Sequence, residues 1–178
     1  MKKIMVVGVS PGVGKTTFAR RLGEALNIPV YHLDKYYWKP GWVESPLEEF
    51  RAAQLEIVKQ EKWIIEGNYT NTYDVRVPHA DTIIYLELSL IRCLFRVFKR
   101  TYSNLGKNRN DLGEGCPERF KWEFFHYILT THRRRKKAMP ERLREMQLTG
   151  TQKTIVVLKS KKDIETYLKK IKESRIPN

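Results

Sequence analysis

Cysteine is scarce in this chain: only Cys93 and Cys116 occur among 178 residues, and their spacing matches no metal-ligand pattern. The count argues against a disulfide framework, and we expect two free thiols in a reducing compartment. Long apolar runs are also missing, so no segment predicts a membrane span. The sequence begins Met-Lys-Lys and enters an apolar strand directly, without the pattern of a signal peptide. We therefore expect a cytoplasmic protein.

Acidic residues are outnumbered only in the second half of the chain. The whole sequence has 34 basic and 20 acidic residues, a net charge of +14. Residues 1–91 carry 11 of each, whereas residues 92–137 carry 13 basic and 4 acidic residues, a net charge of +9. Such a segment favours contact with an anion, although a solvated basic face is the alternative. The length predicts a single domain over residues 1–178.

A glycine-rich turn follows the first apolar strand. Residues 6–17 read Val-Val-Gly-Val-Ser-Pro-Gly-Val-Gly-Lys-Thr-Thr. The second half of this run matches a phosphate-binding P-loop, in which glycine N–H groups and the start of a helix hold phosphate. The first glycine of that pattern is displaced, because Val9 stands at its position and Gly8 precedes it.

The P-loop pattern assigns a role to each of its polar residues. Lys15 would reach the β- and γ-phosphates of ATP and act in catalysis, and the Thr16 hydroxyl would be a ligand of Mg²⁺. Thr17 would meet the α-phosphate side. The predicted nucleotide-binding residues of the loop are Gly12, Val13, Gly14, Lys15, Thr16 and Thr17.

Two acidic residues follow apolar strands that should lie near the P-loop strand. Asp34 follows a strand at residues 29–33, and Glu66 ends a strand that begins at Trp63. Parallel sheets bind ligands at the carboxyl ends of their strands, so both carboxylates should face the crevice. Asp34 is the candidate general base or an acid of the Mg²⁺ shell. Glu66 fits a Walker B carboxylate, which lies near Mg²⁺.

Arginine recurs within and before the positive segment. Arg76 would either clamp a substrate phosphate or be an ordinary surface arginine, and the sequence leaves both open. Arg92, Arg96 and Arg100 repeat every four residues along one face of a helix, which favours anion contact. Residues 103–117 contain several glycines and no periodicity, and they predict a mobile loop.

The remaining segments complete an alternating strand and helix pattern. A helix is predicted over residues 118–137, where aromatic residues favour a core and the basic end favours a lid. Residues 101–139 are therefore a candidate lid insertion. An aromatic loop at residues 36–42 would either stack a planar substrate or form the apolar underside of a lid. A fifth strand at residues 153–159 and a final helix capped by Ser160 end the pattern.

Together these segments resemble the small P-loop kinases of the adenylate, shikimate and gluconate kinase group, and more closely the bacterial DNA topology modulation proteins, also called adenylate-kinase-related proteins. Besides the P-loop, the resemblance is carried by His32-Leu33-Asp34, Pro40-Gly41-Trp42, Trp63-Ile64-Ile65-Glu66-Gly67-Asn68-Tyr69, Ala80-Asp81-Thr82-Ile83, Arg92 to Arg100 and Gly115-Cys116-Pro117-Glu118. It implies an α/β fold of the P-loop NTPase type, three-layer α/β/α, with a five-stranded parallel sheet and a helical lid as in nucleoside monophosphate kinases.

The resemblance also implies roles for individual residues. Asp34 looks like the acid that meets the acceptor. Arg96 and Arg100 look like the arginine pair near the nucleotide, with Arg100 in a catalytic role. Residues 133–135 resemble lid arginines; Arg134 stands as the catalytic candidate, with the choice among the three open.

The acceptor side departs from the monophosphate kinase pattern. Those kinases usually carry Asp-Gly, an apolar residue, Pro and Arg where this chain has Glu66, Gly67, Asn68 and Tyr69. The departure argues against a nucleoside monophosphate acceptor, while Gly67 and Asn68, with Asp34, remain predicted substrate contacts.

The sequence thus predicts a phosphotransferase that moves the γ-phosphoryl group of Mg·ATP to an unidentified small-molecule or nucleotide acceptor. The alternative is a nucleotide-regulated DNA-binding protein, which the net charge of +14 permits. No recognisable DNA-reading motif supports that alternative. No membrane partner is expected, and the oligomeric state is left open.

Overall fold

A five-stranded parallel sheet forms the centre of the computed structural model, which describes residues 1–109, 111–150 and 152–174. In chain order the strands are β1 (Lys3–Gly8), β2 (Val30–His32), β3 (Trp38–Lys39), β4 (Val43–Glu44), β5 (Trp63–Glu66), β6 (Thr82–Leu86) and β7 (Thr154–Leu158). The helices are α1 (Lys15–Leu26), α2 (Leu33–Tyr37), α3 (Leu47–Val58), α4 (Tyr73–Arg76), α5 (Leu90–Ser103), α6 (Trp122–Leu148) and α7 (Lys161–Glu173).

The order of the central sheet is β2-β5-β1-β6-β7, and every pair in it is parallel. The P-loop strand β1 therefore lies in the middle, with β5 on one side and β6 on the other. All residues of β5 and β6 are buried, because helices cover both faces of the sheet. The predicted three-layer P-loop fold is confirmed by this arrangement.

The helices form pairs on the sheet. Helix α1 packs against α7, and α5 packs against α6. A small second core of Val97, Phe125 and Ile128 lies between α5 and α6. Among the described residues no helix is both long and apolar enough to cross a bilayer.

Helix α6 is longer than predicted. The prediction was a helix over residues 118–137, whereas the helix begins at Trp122 and continues to Leu148 with Pro140 inside it. Met139, Leu143 and Met146 extend the apolar face into the main core, and this packing outweighs the hydrogen bond that proline cannot donate.

The segments predicted as irregular loops are more ordered than expected. The aromatic loop contains α2 and a small antiparallel hairpin of β3 and β4. Arg76 lies at the end of α4 and not in a loop. The stretch between α5 and α6 makes backbone bridges from Leu105 to Glu118 and from Asn108 to Pro117.

Candidate active site

The P-loop joins the end of β1 to the start of α1 and has the geometry of an anion cradle. Gly12 and Gly14 both adopt positive φ, at 80° and 102°, a region that residues with a Cβ rarely enter. Helix α1 begins at Lys15, and its N-cap residue Gly14 supplies no side-chain cap. The first N–H groups of the helix are thus available to a phosphate, and the helix dipole favours negative charge there.

The displaced first glycine has a structural reason. Val9 is completely buried, and its N–H donates to the Leu86 carbonyl of β6 at 3.0 Å. Gly8 is the position that must lack a side chain, since a Cβ there would lie 2.5 Å from a Val13 methyl carbon. The loop therefore starts one residue early without losing its anchor on the sheet.

Asn68 fixes this start of the loop. Its side-chain amide accepts from the Gly8 N–H at 2.9 Å and donates to the Gly8 carbonyl at 2.8 Å. The adjacent Gly67 has φ 143° and donates its N–H to the Val6 carbonyl. The predicted substrate contact through the Asn68 side chain is therefore corrected, because both ends of that amide bind the P-loop backbone.

Glu66 lies beside the predicted metal ligand. The Thr16 hydroxyl is 3.0 Å from Glu66 Oε1, and His32 Nδ1 lies 2.9 Å from the same oxygen. The Glu66 side chain is only 5% exposed. Carboxylate and hydroxyl oxygens are ligands that Mg²⁺ prefers, so this pair fits the metal role predicted for Thr16 and Glu66.

Asp34 faces the same region from the start of α2. The Tyr69 hydroxyl donates to its Oδ1 at 2.6 Å. Burial raises the pKa of Asp34, the negative charge of Glu66 raises it further, and the Tyr69 hydrogen bond and Lys15 offset part of the rise. Burial next to Asp34 also raises the pKa of Tyr69, so its hydroxyl keeps its proton and stays a donor. The result is a carboxylate held in one orientation with raised basicity.

Arg76 supports this arrangement from inside the protein. Its side chain is completely buried and donates to the carbonyls of Gly67 at 3.1 Å and Tyr69 at 3.0 Å. Burial lowers the pKa of Arg76 to about 10. The surface alternative is wrong, and the predicted phosphate clamp is corrected, because the guanidinium binds the turn that carries Tyr69.

The three arginines on one face of α5, Arg92, Arg96 and Arg100, have different surroundings. Arg96 donates to the Val13 carbonyl at 3.1 Å and covers the P-loop at Gly14. Arg100 lies 3.5 Å from Glu118, and burial together with the nearby charge of Arg109 lowers its pKa. Arg92 is exposed.

The arginines predicted to belong to the lid, residues 133–135, lie on helix α6. Arg133 and Arg134 are exposed on α6, and Arg135 packs on the Tyr127 ring. Among the contacts of the described residues, none joins Arg134 to the P-loop. Within the predicted lid insertion at residues 101–139, α5 and α6 pack against each other and the core, and the connection between them reaches the P-loop at Thr16.

This connection, residues 104–109 and 111–118, is called the lid loop below. It brings Asp111 to within 3.4 Å of the Thr16 hydroxyl, and Arg109 forms an ion pair with Asp111. Glu118 receives a hydrogen bond from Arg109 at 2.9 Å and another from Thr101 at 2.9 Å. Sequence reasoning missed Arg109 and Asp111; the available signal was a pair of opposite charges, two residues apart, in a loop otherwise rich in glycine and asparagine.

The lid loop also binds the β3–β4 hairpin. The Gly41 N–H donates to the Gly115 carbonyl at 2.8 Å, and the Trp42 indole N–H donates to the Pro117 carbonyl at 3.0 Å. Arg119 and Lys121 place their cations over the Trp42 ring. Of the two alternatives for the aromatic loop, the structure favours the underside of a lid.

Comparison with known proteins finds kinases that are similar to this chain. No protein-family model matches the chain. The curated shikimate kinase of Rhodococcus jostii (strain RHA1) is 29% identical over an alignment of 119 residues, and the match covers 59% of this chain and 68% of that protein.

Solved structures show the same fold. Shikimate kinase from Acinetobacter baumannii in complex with shikimate has a TM-score of 0.56 at 16% identity, covering 99% of this chain and 96% of that one. Shikimate kinase from Bacteroides thetaiotaomicron has a TM-score of 0.53 at 16% identity, covering 96% of each chain. A putative kinase from Chloroflexus aurantiacus j-10-fl has a TM-score of 0.52 at 14% identity, covering 97% of each chain. The expected likeness to small P-loop kinases is supported; the finer likeness to DNA topology modulation proteins is not shown.

Proposed function

We propose that this chain is an ATP-dependent phosphotransferase that acts on a small hydroxylated acceptor. The observation that carries the proposal is an uncapped P-loop helix close to a half-buried carboxylate that is held in one orientation. Asp34 lies near enough to Lys15 for their charges to interact, and it is held by Tyr69. The similar kinases named above act as support, and one of them was solved with shikimate, a small hydroxylated molecule.

The nucleotide would bind along the P-loop. The N–H groups at the start of α1 and the Lys15 ammonium would hold the phosphates, while Arg96 covers the loop at Gly14. Thr16 and Glu66 would hold Mg²⁺, which neutralises charge on the β- and γ-phosphates when it is bound.

Asp34 would take the proton of the acceptor hydroxyl. A general base works best when its pKa approaches the working pH, and burial moves the pKa of Asp34 in that direction. Tyr69 keeps the carboxylate oriented through its hydrogen bond. Arg109 also lies close enough to Asp34 to influence its charge, which makes it a better candidate than Arg134 for contact with the transferred group.

The acceptor would enter beside the lid loop. A cavity of about 610 Å³ is lined by Lys35, next to Asp34, and by Arg109, Asn108 and Gly113 of the lid loop. Glu114 also lines the cavity, but Lys35 and Arg109 favour an acceptor that carries a carboxylate or phosphate in addition to its hydroxyl group.

The proposal is tested first by nucleotide binding and then by a screen for ADP release. Calorimetry with a non-hydrolysable ATP analogue and Mg²⁺ should give a saturable complex. Lys15→Ala should weaken it by roughly 1.5–3 kcal/mol, because a charge-assisted contact to phosphate is lost. Lys62→Ala is the matched control, since Lys62 is exposed and precedes β5 at the opposite end of the sheet.

ADP release is then measured with hydroxylated carboxylates, sugars, nucleosides and nucleoside monophosphates. A small hydroxylated acid that raises the rate well above that with water identifies the acceptor class. Equal binding by Lys15→Ala and its parent would remove the P-loop assignment, and with it the proposed activity.

A further inference from the structure

The Thr16 hydroxyl lies between two carboxylates. Its Oγ1 is 3.0 Å from Glu66 Oε1 and 3.4 Å from Asp111 Oδ2. A hydroxyl has one hydrogen to donate, and the longer distance exceeds the usual O–H···O range of about 2.5–3.0 Å. Two anionic groups around one hydroxyl oxygen are the arrangement that a hard cation favours.

Asp111 is held in this place by a network that reaches back to α5. Arg109 Nε donates to Asp111 Oδ1 at 3.0 Å, and another nitrogen of the same guanidinium binds Oδ2. Arg109 in turn donates to Glu118, which is 5% exposed and accepts from Thr101. The lid loop therefore presents Asp111 in a defined position although it has no regular secondary structure there.

We propose that Asp111 is the lid's own carboxylate for the divalent cation, joining Thr16 and Glu66 when the lid loop lies over the P-loop. This inference rests on the proposed function, because it needs a Mg·nucleotide at the P-loop. The observation behind it is the approach of Asp111 Oδ2 to the Thr16 hydroxyl, which is also within hydrogen-bond distance of Glu66.

An anion mimic is the competing explanation, in which the carboxylate occupies the place of a phosphate. A phosphate mimic would bind the N–H groups of the P-loop. In the contacts of residues 1–109, 111–150 and 152–174, the P-loop group that Asp111 meets is the Thr16 hydroxyl, which also binds Glu66. The geometry therefore favours contact with the cation.

The experiment compares the affinity for a non-hydrolysable ATP analogue with Mg²⁺ and with EDTA, by calorimetry. In the parent protein Mg²⁺ should strengthen binding. In Asp111→Asn the gain from Mg²⁺ should shrink by about 10–100-fold, the loss that is usual even for partners in the outer shell of a metal site. Binding in EDTA should stay equal or improve, since a negative charge beside the phosphates has gone.

Two further variants make the result specific. Glu123→Gln removes one negative charge from the exposed first turn of α6 and should leave the Mg²⁺ gain unchanged. Asp111→Cys should bind the analogue poorly with Mg²⁺ and recover with Cd²⁺, because a thiolate prefers a softer cation. Melting temperatures of all variants, measured without nucleotide, report whether each protein is folded.

The outcomes separate the possible failures. A parent protein that binds no nucleotide overturns the proposed function and this inference together. Normal nucleotide binding with the same Mg²⁺ gain in Asp111→Asn overturns the inference alone. An equal increase of affinity with and without Mg²⁺ in Asp111→Asn also overturns it, in favour of the anion mimic.

Discussion

At the scale of single residues, the Asp34 and Tyr69 pair decides how the proposed chemistry depends on pH. The carboxylate must be deprotonated to accept a proton, and burial raises the pKa at which it loses its own. The Tyr69 hydrogen bond acts in the opposite direction, because it stabilises the anionic form. Both residues are ordered by the turn that Arg76 holds.

Asp34→Asn should lower kcat by about 10²–10⁴-fold, the usual contribution of a general base, while the affinity for the ATP analogue stays near that of the parent.

Tyr69→Phe should move the acidic limb of the kcat profile to higher pH by about one unit, since a hydrogen bond to a charged group is worth about 1.5–3 kcal/mol. The measurement is the pH dependence of ADP release with the acceptor found in the screen.

Tyr102→Phe is the control for the second change, because Tyr102 is 79% exposed. It should leave the profile unmoved. An acidic limb that stays in place in Tyr69→Phe would separate Tyr69 from the basicity of Asp34.

The buried hydrogen bonds of Arg76 should contribute to the free energy of unfolding. Arg76→Met should lower the free energy of unfolding by about 1–3 kcal/mol, because the Gly67 carbonyl loses its donor and the Tyr69 carbonyl, which also accepts from Thr72, loses one of its donors. Urea unfolding measures this change. Arg51→Met is the comparison: Arg51 pairs with Asp74 at the surface, and such pairs contribute only about 0–1 kcal/mol. Equal losses in the two variants would contradict the structural role of Arg76.

At the scale of elements, the lid loop and the β3–β4 hairpin should respond to nucleotide together. Hydrogen exchange with the ATP analogue should show protection of the lid loop and also of residues 38–44, through the Gly41 to Gly115 hydrogen bond. Gly115→Ala should lose the protection of the hairpin, since its Cβ would lie 2.9 Å from Pro40.

Gly106→Ala is a matched control for that experiment. Gly106 has the same φ of 73° as Gly115, so both variants carry the same backbone strain, but a Cβ at Gly106 meets nothing within 4 Å. Protection of the hairpin that survives in Gly115→Ala would show that the two elements respond independently.

The sequence predicted those elements whose evidence is local. The P-loop, the strand ends at Asp34 and Glu66, and the Ser160 cap, which accepts from the Asp163 N–H, each depend on a few adjacent residues. The position of Asp111 depends on a contact with Thr16 that spans 95 residues, and no local pattern encodes it.

Helix α6 and Arg76 were misjudged for a related reason. The prediction ended α6 with the basic run at Lys137, but tertiary packing of Met139, Leu143 and Met146 carries the helix further. Arginine is seldom buried completely, so a buried fork between two carbonyls had no signal in the sequence.

At the scale of the whole molecule, the positive charge of residues 92–137 is only partly exposed. Arg96 contacts the P-loop, and Arg100 and Arg109 contact Glu118 in the lid network. The remaining basic residues of α6 and of its N-terminal flank lie on the surface. The site therefore uses some of the charge that had suggested nucleic acid as a partner.

We accordingly expect weak, salt-sensitive binding to duplex DNA. Affinity measured by fluorescence anisotropy should fall steeply between about 50 and 200 mM salt, as for non-specific phosphate contacts. The ATP analogue should leave this binding unchanged. Tight binding at the higher salt concentration, altered by nucleotide, would favour the DNA-binding alternative.

The hydrogen bonds between the lid loop and the β3–β4 hairpin affect the order in which ATP and the acceptor could bind. The hairpin directly follows α2, the helix that carries Asp34. Hydrogen bonds therefore join the lid loop, which would lie over the nucleotide, to the hairpin, which lies next to the residue that would meet the acceptor. If ATP closes the lid loop and the hairpin together, it also narrows the entrance for the acceptor. Turnover would then follow a compulsory order, with the acceptor entering first, and an idle enzyme would shield its ATP from water.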